Sequence, residues 1–186
     1  MKIEYWMKLP DVGSRKVADN FGIFNSDSIR NNFSSSYSKI ENVEVYVDSI
    51  DTTTHAIVEF TFNRIDLLNQ TKMFADSKFQ FKEETSGQIV FSQFIAPIAI
   101  GFGIDANEYS VSYSYTFSGT ILNHNAHQVK DNILVWNYSL ADIGVGKSIA
   151  VTFRPFKLEK TPDWIYMLTG AVLALVIFFL LRRKKG

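Results

Sequence analysis

Between Val43 and Phe62 the side chains alternate between apolar and polar with a period of two. Val43, Val45 and Val47 alternate with Glu44, Tyr46 and Asp48; a turn follows at Asp51 to Thr54. Ala56, Val58, Phe60 and Phe62 then alternate with Ile57, Glu59 and Thr61. Successive side chains of a strand point to opposite faces, so this pattern predicts a hairpin with one buried and one wet face. Phe79 and Phe81 begin another strand, Ser86-Gly87 is a turn, and Ile89, Phe91 and Ile95 continue beyond it. Val111, Tyr113, Tyr115 and Phe117 alternate with Ser110, Ser112, Ser114, Thr116 and Ser118. Ile133 to Leu140 and Ser148 to Phe153 make two more strands. At the start, Ile3 to Leu9 reads as a strand, Pro10 to Gly13 as a turn, and Lys16 to Phe24 as the return strand.

The period changes in two places. Ser26-Asp27-Ser28-Ile29 offers capping residues, and Ile29, Phe33, Tyr37 and Ile40 recur at helical spacing. Asn63 is placed to cap a short helix over Ile65 to Phe74, with Leu67, Leu68 and Phe74 as its buried side. Strands outnumber helices and no βαβ rhythm persists. The expected class is therefore α+β, a mainly antiparallel sheet with about two helices on one face, plus one C-terminal transmembrane helix.

That last helix rests on the uncharged run from Trp164 to Leu181, whose one clearly polar side chain is Thr169. Its 18 residues span about 27 Å as a helix, close to a hydrocarbon core of roughly 30 Å. Trp164 and Tyr166 suit the headgroup level at one end, and Arg182, Arg183, Lys184 and Lys185 can snorkel at the other. The expected organisation is a domain over 1–157, a short tether over 158–163, a span over 164–181 and a basic tail over 182–186. Four tail cations place the tail in the cytoplasm and the domain outside it. Met1 to Pro10 has no apolar export segment, which leads to the expectation of a mature or truncated chain, the alternative being a tail-anchored protein with a cytoplasmic domain.

Composition narrows the function. Taking the four tail cations from 19 leaves 15 Lys plus Arg against 19 Asp plus Glu, so the domain is near −4. No basic patch interrupts it, and nucleic acid is not an expected partner. The absence of cysteine removes disulfides, thiolate catalysis and cysteine-bound zinc. His124 and His127 are three apart in a turn, without a third ligand beyond Asp131, and His55 stands alone. Gly144-Val145-Gly146-Lys147-Ser148 ends like a phosphate loop but lacks its spacing and precedes a strand. No nucleophile, base and orienting group assemble, so neither a catalytic role nor a cofactor is expected. The unusual stretch is Phe94 to Ile104, apolar, uncharged, and broken by Pro97, Gly101 and Gly103. A strand end with a buried loop would look like this. So would an apolar flap over a lipid-sized pocket or against the membrane, with Phe94, Ile95, Pro97, Ile98, Ile100, Phe102 and Ile104 as contacts.

From Ser118 to Pro155 the chain reads SGTILNHNAHQVKDNILVWNYSLADIGVGKSIAVTFRP. Gly119 opening a strand, Asn125 in a turn, Asn132 before an apolar strand and Trp136 within it resemble the closing segment of the LppM-type domain, a family of bacterial envelope proteins. Ile3 to Val17, with its Asp11-Val12-Gly13-Ser14 turn, resembles that family's first hairpin. The resemblance covers residues 1–181 and lacks the lipobox cysteine. It implies an envelope-facing α+β domain, with lipid or glycolipid binding for some members and no catalytic residues. The expected function is thus a membrane-anchored, non-catalytic binding domain for membrane lipid or another amphipathic ligand. The alternative is an assembly protein that meets a protein partner through its sheet edge or transmembrane helix, where Gly170 and Ala174 form a small-xxx-small pair.

Overall fold

The computed structural model describes residues 1–84, 87–98, 105–156, 164–165, 167–173 and 176. The chain divides into two compact units, Met1–Pro155 and Phe156–Gly186. In the first, the expected strands other than Lys16 to Phe24 form, but in two antiparallel sheets rather than one. Strand β1 (Lys2–Lys8) is central to the larger sheet, with Ile3, Tyr5 and Met7 buried between less buried neighbours. It pairs on one side with β3 (Thr53–Phe62), which continues to β2 (Ser38–Asp48). The smaller sheet begins with β4 (Gln80–Glu84) and β5 (Gln88–Ile95). On its other side β1 pairs with β6 (Tyr109–Thr116).

Sequence periodicity had no hold on the next part of the chain. Gly119–His124 forms β7 in the smaller sheet, and Gln128–Lys130 forms β8 in the larger one. Both are almost wholly exposed, so neither carries the apolar alternation that marks a half-buried strand. Strand β9 (Ile133–Ser139) and β10 (Lys147–Pro155) complete the set. The larger sheet runs β2-β3-β1-β6-β9-β8 and the smaller β4-β5-β10-β7.

The expected return strand after β1 is instead a helix, α1 (Val12–Asn20). Asp11 Oδ1 accepts from Ser14 N at 2.7 Å, and Ser14 Oγ accepts from Asp11 N at 3.3 Å. This capping box turns the four residues that read as a hairpin turn into a first helical turn. The next helix, α2 (Ser26–Phe33), is shorter than its spacing suggested: Asn25 caps it, Ile29 and Phe33 are buried, and Ile40 belongs to β2. Gly22, at φ +63, makes the bend between the two helices. The helix expected over Ile65–Phe74 forms as two 3₁₀ segments, Ile65–Gln70 and Lys72–Phe74, without a side-chain cap from Asn63. Ile65 and Leu68, three apart, are its buried pair, which is the repeat of a 3₁₀ helix. A last short helix, α3 (Leu140–Ile143), starts from a Ser139–Asp142 capping box.

Two layers cover the inner face of the larger sheet. The smaller sheet packs on one part, where Phe91 of β5 meets Tyr115 and Phe117 at 5.1 and 5.4 Å, and Gln93 Oε1 accepts from Tyr115 Oη at 2.6 Å. The helical layer packs on the other, where Phe33 and Phe74 meet Phe60 and Tyr5 meets Phe24.

In the second unit, residues 164–165, 167–173 and 176 are helical. Thr169 Oγ1 donates to Ile165 O at 2.8 Å, so the segment's polar side chain is satisfied within it. Among the described residues no helix is long and apolar enough to cross a membrane. Tyr166, Arg182, Arg183, Lys184 and Lys185 lie outside the described residues.

Candidate functional site

Between the two covering layers, over the inner face of the larger sheet, the described residues line a cavity of about 520 Å³. Ile3, Tyr5 and Met7 of β1 and Tyr109, Val111 and Tyr113 of β6 form its floor. These are alternate residues of paired strands, so period two alone aligns them on one face. Ile29, Asn32 and Phe33 of α2 and the Phe21–Ile23 bend form one wall. Lys72 to Ser77 and the segment Ile95 to Ile98 form the others. The volume lies within the range of small-molecule sites. Phe21, Met73 and Ile98, which line the cavity, are 65, 50 and 37 % exposed, giving it an apolar rim.

Three tyrosines line this apolar space. Tyr5 Oη donates to Ile23 O at 2.7 Å and ties β1 to the bend between α1 and α2. Tyr109 and Tyr113 have no side-chain hydrogen-bond partner among the described residues. Burial pushes all three phenols well above their ordinary pKa, and each of Tyr109 and Tyr113 is raised further by neighbouring tyrosines. They are therefore neutral donors at any physiological pH. Lys72 and Asp76, both exposed, are the charged residues of the described lining.

Of the expected contact residues, Ile95, Pro97 and Ile98 line the cavity. Phe94 does not. It follows Gln93 and precedes Ile95, both buried against the larger sheet's side, so strand alternation turns it outward. Its ring packs against Gly146 and beneath Lys78 Nζ, 5.3 Å from the centroid. Ile100, Phe102 and Ile104 lie outside the described residues. The tyrosines were missed because they looked like ordinary strand positions. The available signal was Tyr109 and Tyr113, four apart in one strand, which must present polar tips to the same buried face.

The other sequence candidates have structural work. His124 Nδ1 accepts from Ala126 N, and His127 Nδ1 from Asn137 N, each at 3.1 Å. Lys147 and Ser148 begin β10, so the Gly-Lys-Ser motif is no phosphate loop. His55 is not alone: the β2–β3 hairpin brings one ligand atom each from Asp48, Asp51 and His55 within 4.8 Å of one another. Hydrogen bonds of the turn use this group. Thr53 Oγ1 gives its single proton to Asp51 Oδ1 at 2.5 Å, so His55 Nε2 donates to Thr53 Oγ1 at 2.8 Å. His55 Nδ1 makes no hydrogen bond and lies 3.6 Å from Glu4 Oε1. Asp48 Oδ1 meanwhile accepts from Ile50 N at 2.9 Å.

The motif residues that carried the resemblance are structural. Gly119 opens β7 where the Arg154 carbonyl would collide with any Cβ. Asn125 Oδ1 accepts from Trp136 Nε1 and from Ala150 N, both at 2.9 Å, and its Nδ2 donates to Ser148 O at 2.7 Å. No family profile and no curated protein matches the chain. Among solved structures, it is similar to the folded domain of the LppM protein of Mycobacterium tuberculosis. That likeness has 15 % identity and a TM-score of 0.40, over 67 % of each chain.

Proposed function

We propose that this protein is a membrane-anchored, non-catalytic binding domain that takes up the apolar part of a lipid or similar amphiphile. The observation that carries the reading is the 520 Å³ cavity with its exposed rim of Phe21, Met73 and Ile98. An apolar chamber with an apolar lip suits a ligand that passes between protein and membrane without crossing open water. Anchoring is part of the proposal and rests on the uncharged run Trp164 to Leu181 with the basic residues after it. Of the described large side chains of that run, Trp164, Met167, Leu168, Val172, Leu173 and Val176 are at least half exposed, as lipid-facing side chains would be, and Ile165 is partly buried. With the tail cytoplasmic, the domain lies on the outer side of the membrane.

The test is purification of the full chain in an amphipathic polymer, followed by native mass spectrometry. The expected result is a retained amphiphile that is lost from the rim variant Met73→Glu/Ile98→Glu. Retention unchanged in that variant, or no uptake from added lipid, would overturn the reading.

A further inference from the structure

The polar groups inside the cavity say which part of an amphiphile it holds, given that the binding reading above is correct. Tyr109 is 9 % exposed and its hydroxyl has no partner among the described residues. Tyr113 lies on the same face of β6 and also lacks a side-chain partner there. Among the described residues the buried side-chain polar atom without a hydrogen bond is His55 Nδ1, so the two phenol oxygens are open to the cavity, and an apolar ligand that expels water from them costs a hydrogen bond unless it brings its own partner. Phenylalanine would fill the same space without that cost. Tyr5 makes the contrast, because its hydroxyl is satisfied by Ile23 O.

The missing partner must be an acceptor, since a neutral phenol offers one donor proton. It must also be uncharged. The described lining has no cation apart from the exposed Lys72, and an anion moved into an apolar chamber loses its hydration without a counter-charge. A carbonyl of an acyl ester meets both conditions and carries the apolar chain that the rest of the cavity accommodates. We propose that the cavity binds acyl esters with the ester group inside it, its oxygens accepting from Tyr109 and Tyr113, while any charged headgroup stays at the rim near Lys72 and Asp76.

The experiment uses the full chain in amphipathic polymer, loaded with the neutral fluorophore N-phenyl-1-naphthylamine. Displacement by methyl dodecanoate is compared with displacement by n-pentadecane, which has the same number of heavy atoms, after subtracting uptake by protein-free polymer. The wild type is expected to prefer the ester roughly tenfold. Tyr109→Phe and Tyr113→Phe are each expected to remove about threefold of that preference, and the double variant nearly all of it, with alkane binding unchanged. The single variants also melt at or above the wild type, whereas Tyr5→Phe melts below it. Equal binding of ester and alkane by the wild type, or an ester preference that survives in the double variant, overturns this inference and leaves the binding reading standing. Failure of both ligands and of the fluorophore to bind overturns both.

Discussion

Asn125 has the largest consequence for a single exposed residue. Its side-chain oxygen accepts from the indole N–H of Trp136, whose side chain is fully buried, and its amide reaches across to Ser148 O. Its backbone N–H also donates to Ala150 O at 3.2 Å. One side chain thus joins β9 of the larger sheet to β10 of the smaller. Water can replace the bonds to Ser148 and Ala150, whereas the indole of Trp136 is wholly covered while Asn125 is in place. Asn125→Ala is expected to cost about 1–3 kcal/mol by leaving that N–H unpartnered. Urea unfolding would measure it, and a change under about 0.5 kcal/mol, the usual range for surface substitutions, would refute the argument. Trp136→Phe in the Asn125→Ala background should cost less than in the wild type, since the orphaned donor is then removed. The role of Asn125 was only partly legible, because its partners lie 11, 23 and 25 residues away.

At the scale of elements, the hairpin β2–β3 and strands β5, β6, β9 and β10 were legible because each turns one face toward the core, only partly buried in β2, and so keeps period two. Helix α1 was not, because a single buried residue, Ala18, leaves it no apolar stripe to read. Its signal was local, in Asp11 and Ser14, and the same residues suit a turn. Strand β6 makes the sharpest prediction here. It carries Tyr109, Tyr113 and Tyr115, all with pKa values driven above the ordinary range by burial, in company with Tyr5 on β1. The folded state therefore holds these protons at pH values where the unfolded chain, with tyrosines near 10, releases them. Their contribution is complete below about pH 10 and declines as pH rises above it. Phenolate absorbance is expected to rise for these four in one step with loss of far-UV ellipticity. Their gradual ionisation in a still-folded protein would count against the burial described. Tyr109→Phe, which takes one such proton out of the balance, should move the step to higher pH.

The molecule as a whole combines a well-packed half with an incompletely packed one. Where the two sheets face each other, aromatic rings of Phe91, Tyr115, Phe117 and Phe153 meet at 5.0 to 6.1 Å. Where the helical layer replaces the smaller sheet, the same floor of β1 and β6 lies under the cavity. Sequence could identify the apolar residues of both halves but not that difference, since packing density depends on how distant segments meet. The flap residues Ile95, Pro97 and Ile98 were found because their composition was unusual, and the floor beneath them was not. An unfilled chamber costs stability that a tighter core would recover, so stability and uptake should move in opposite directions when it is filled. Val111, 3 % exposed at the centre of the floor, is the position to test. Val111→Phe is expected to stabilise the empty protein by about 0.5–2 kcal/mol and to weaken fluorophore uptake at least tenfold. Adding amphiphile at about a hundred times its dissociation constant should stabilise the wild type by roughly 2.7 kcal/mol and leave the variant unchanged. Calorimetry with and without ligand separates the cases. A variant that is destabilised while still binding would mean that the chamber is smaller in solution than its walls imply; one stabilised with uptake intact would place the ligand elsewhere.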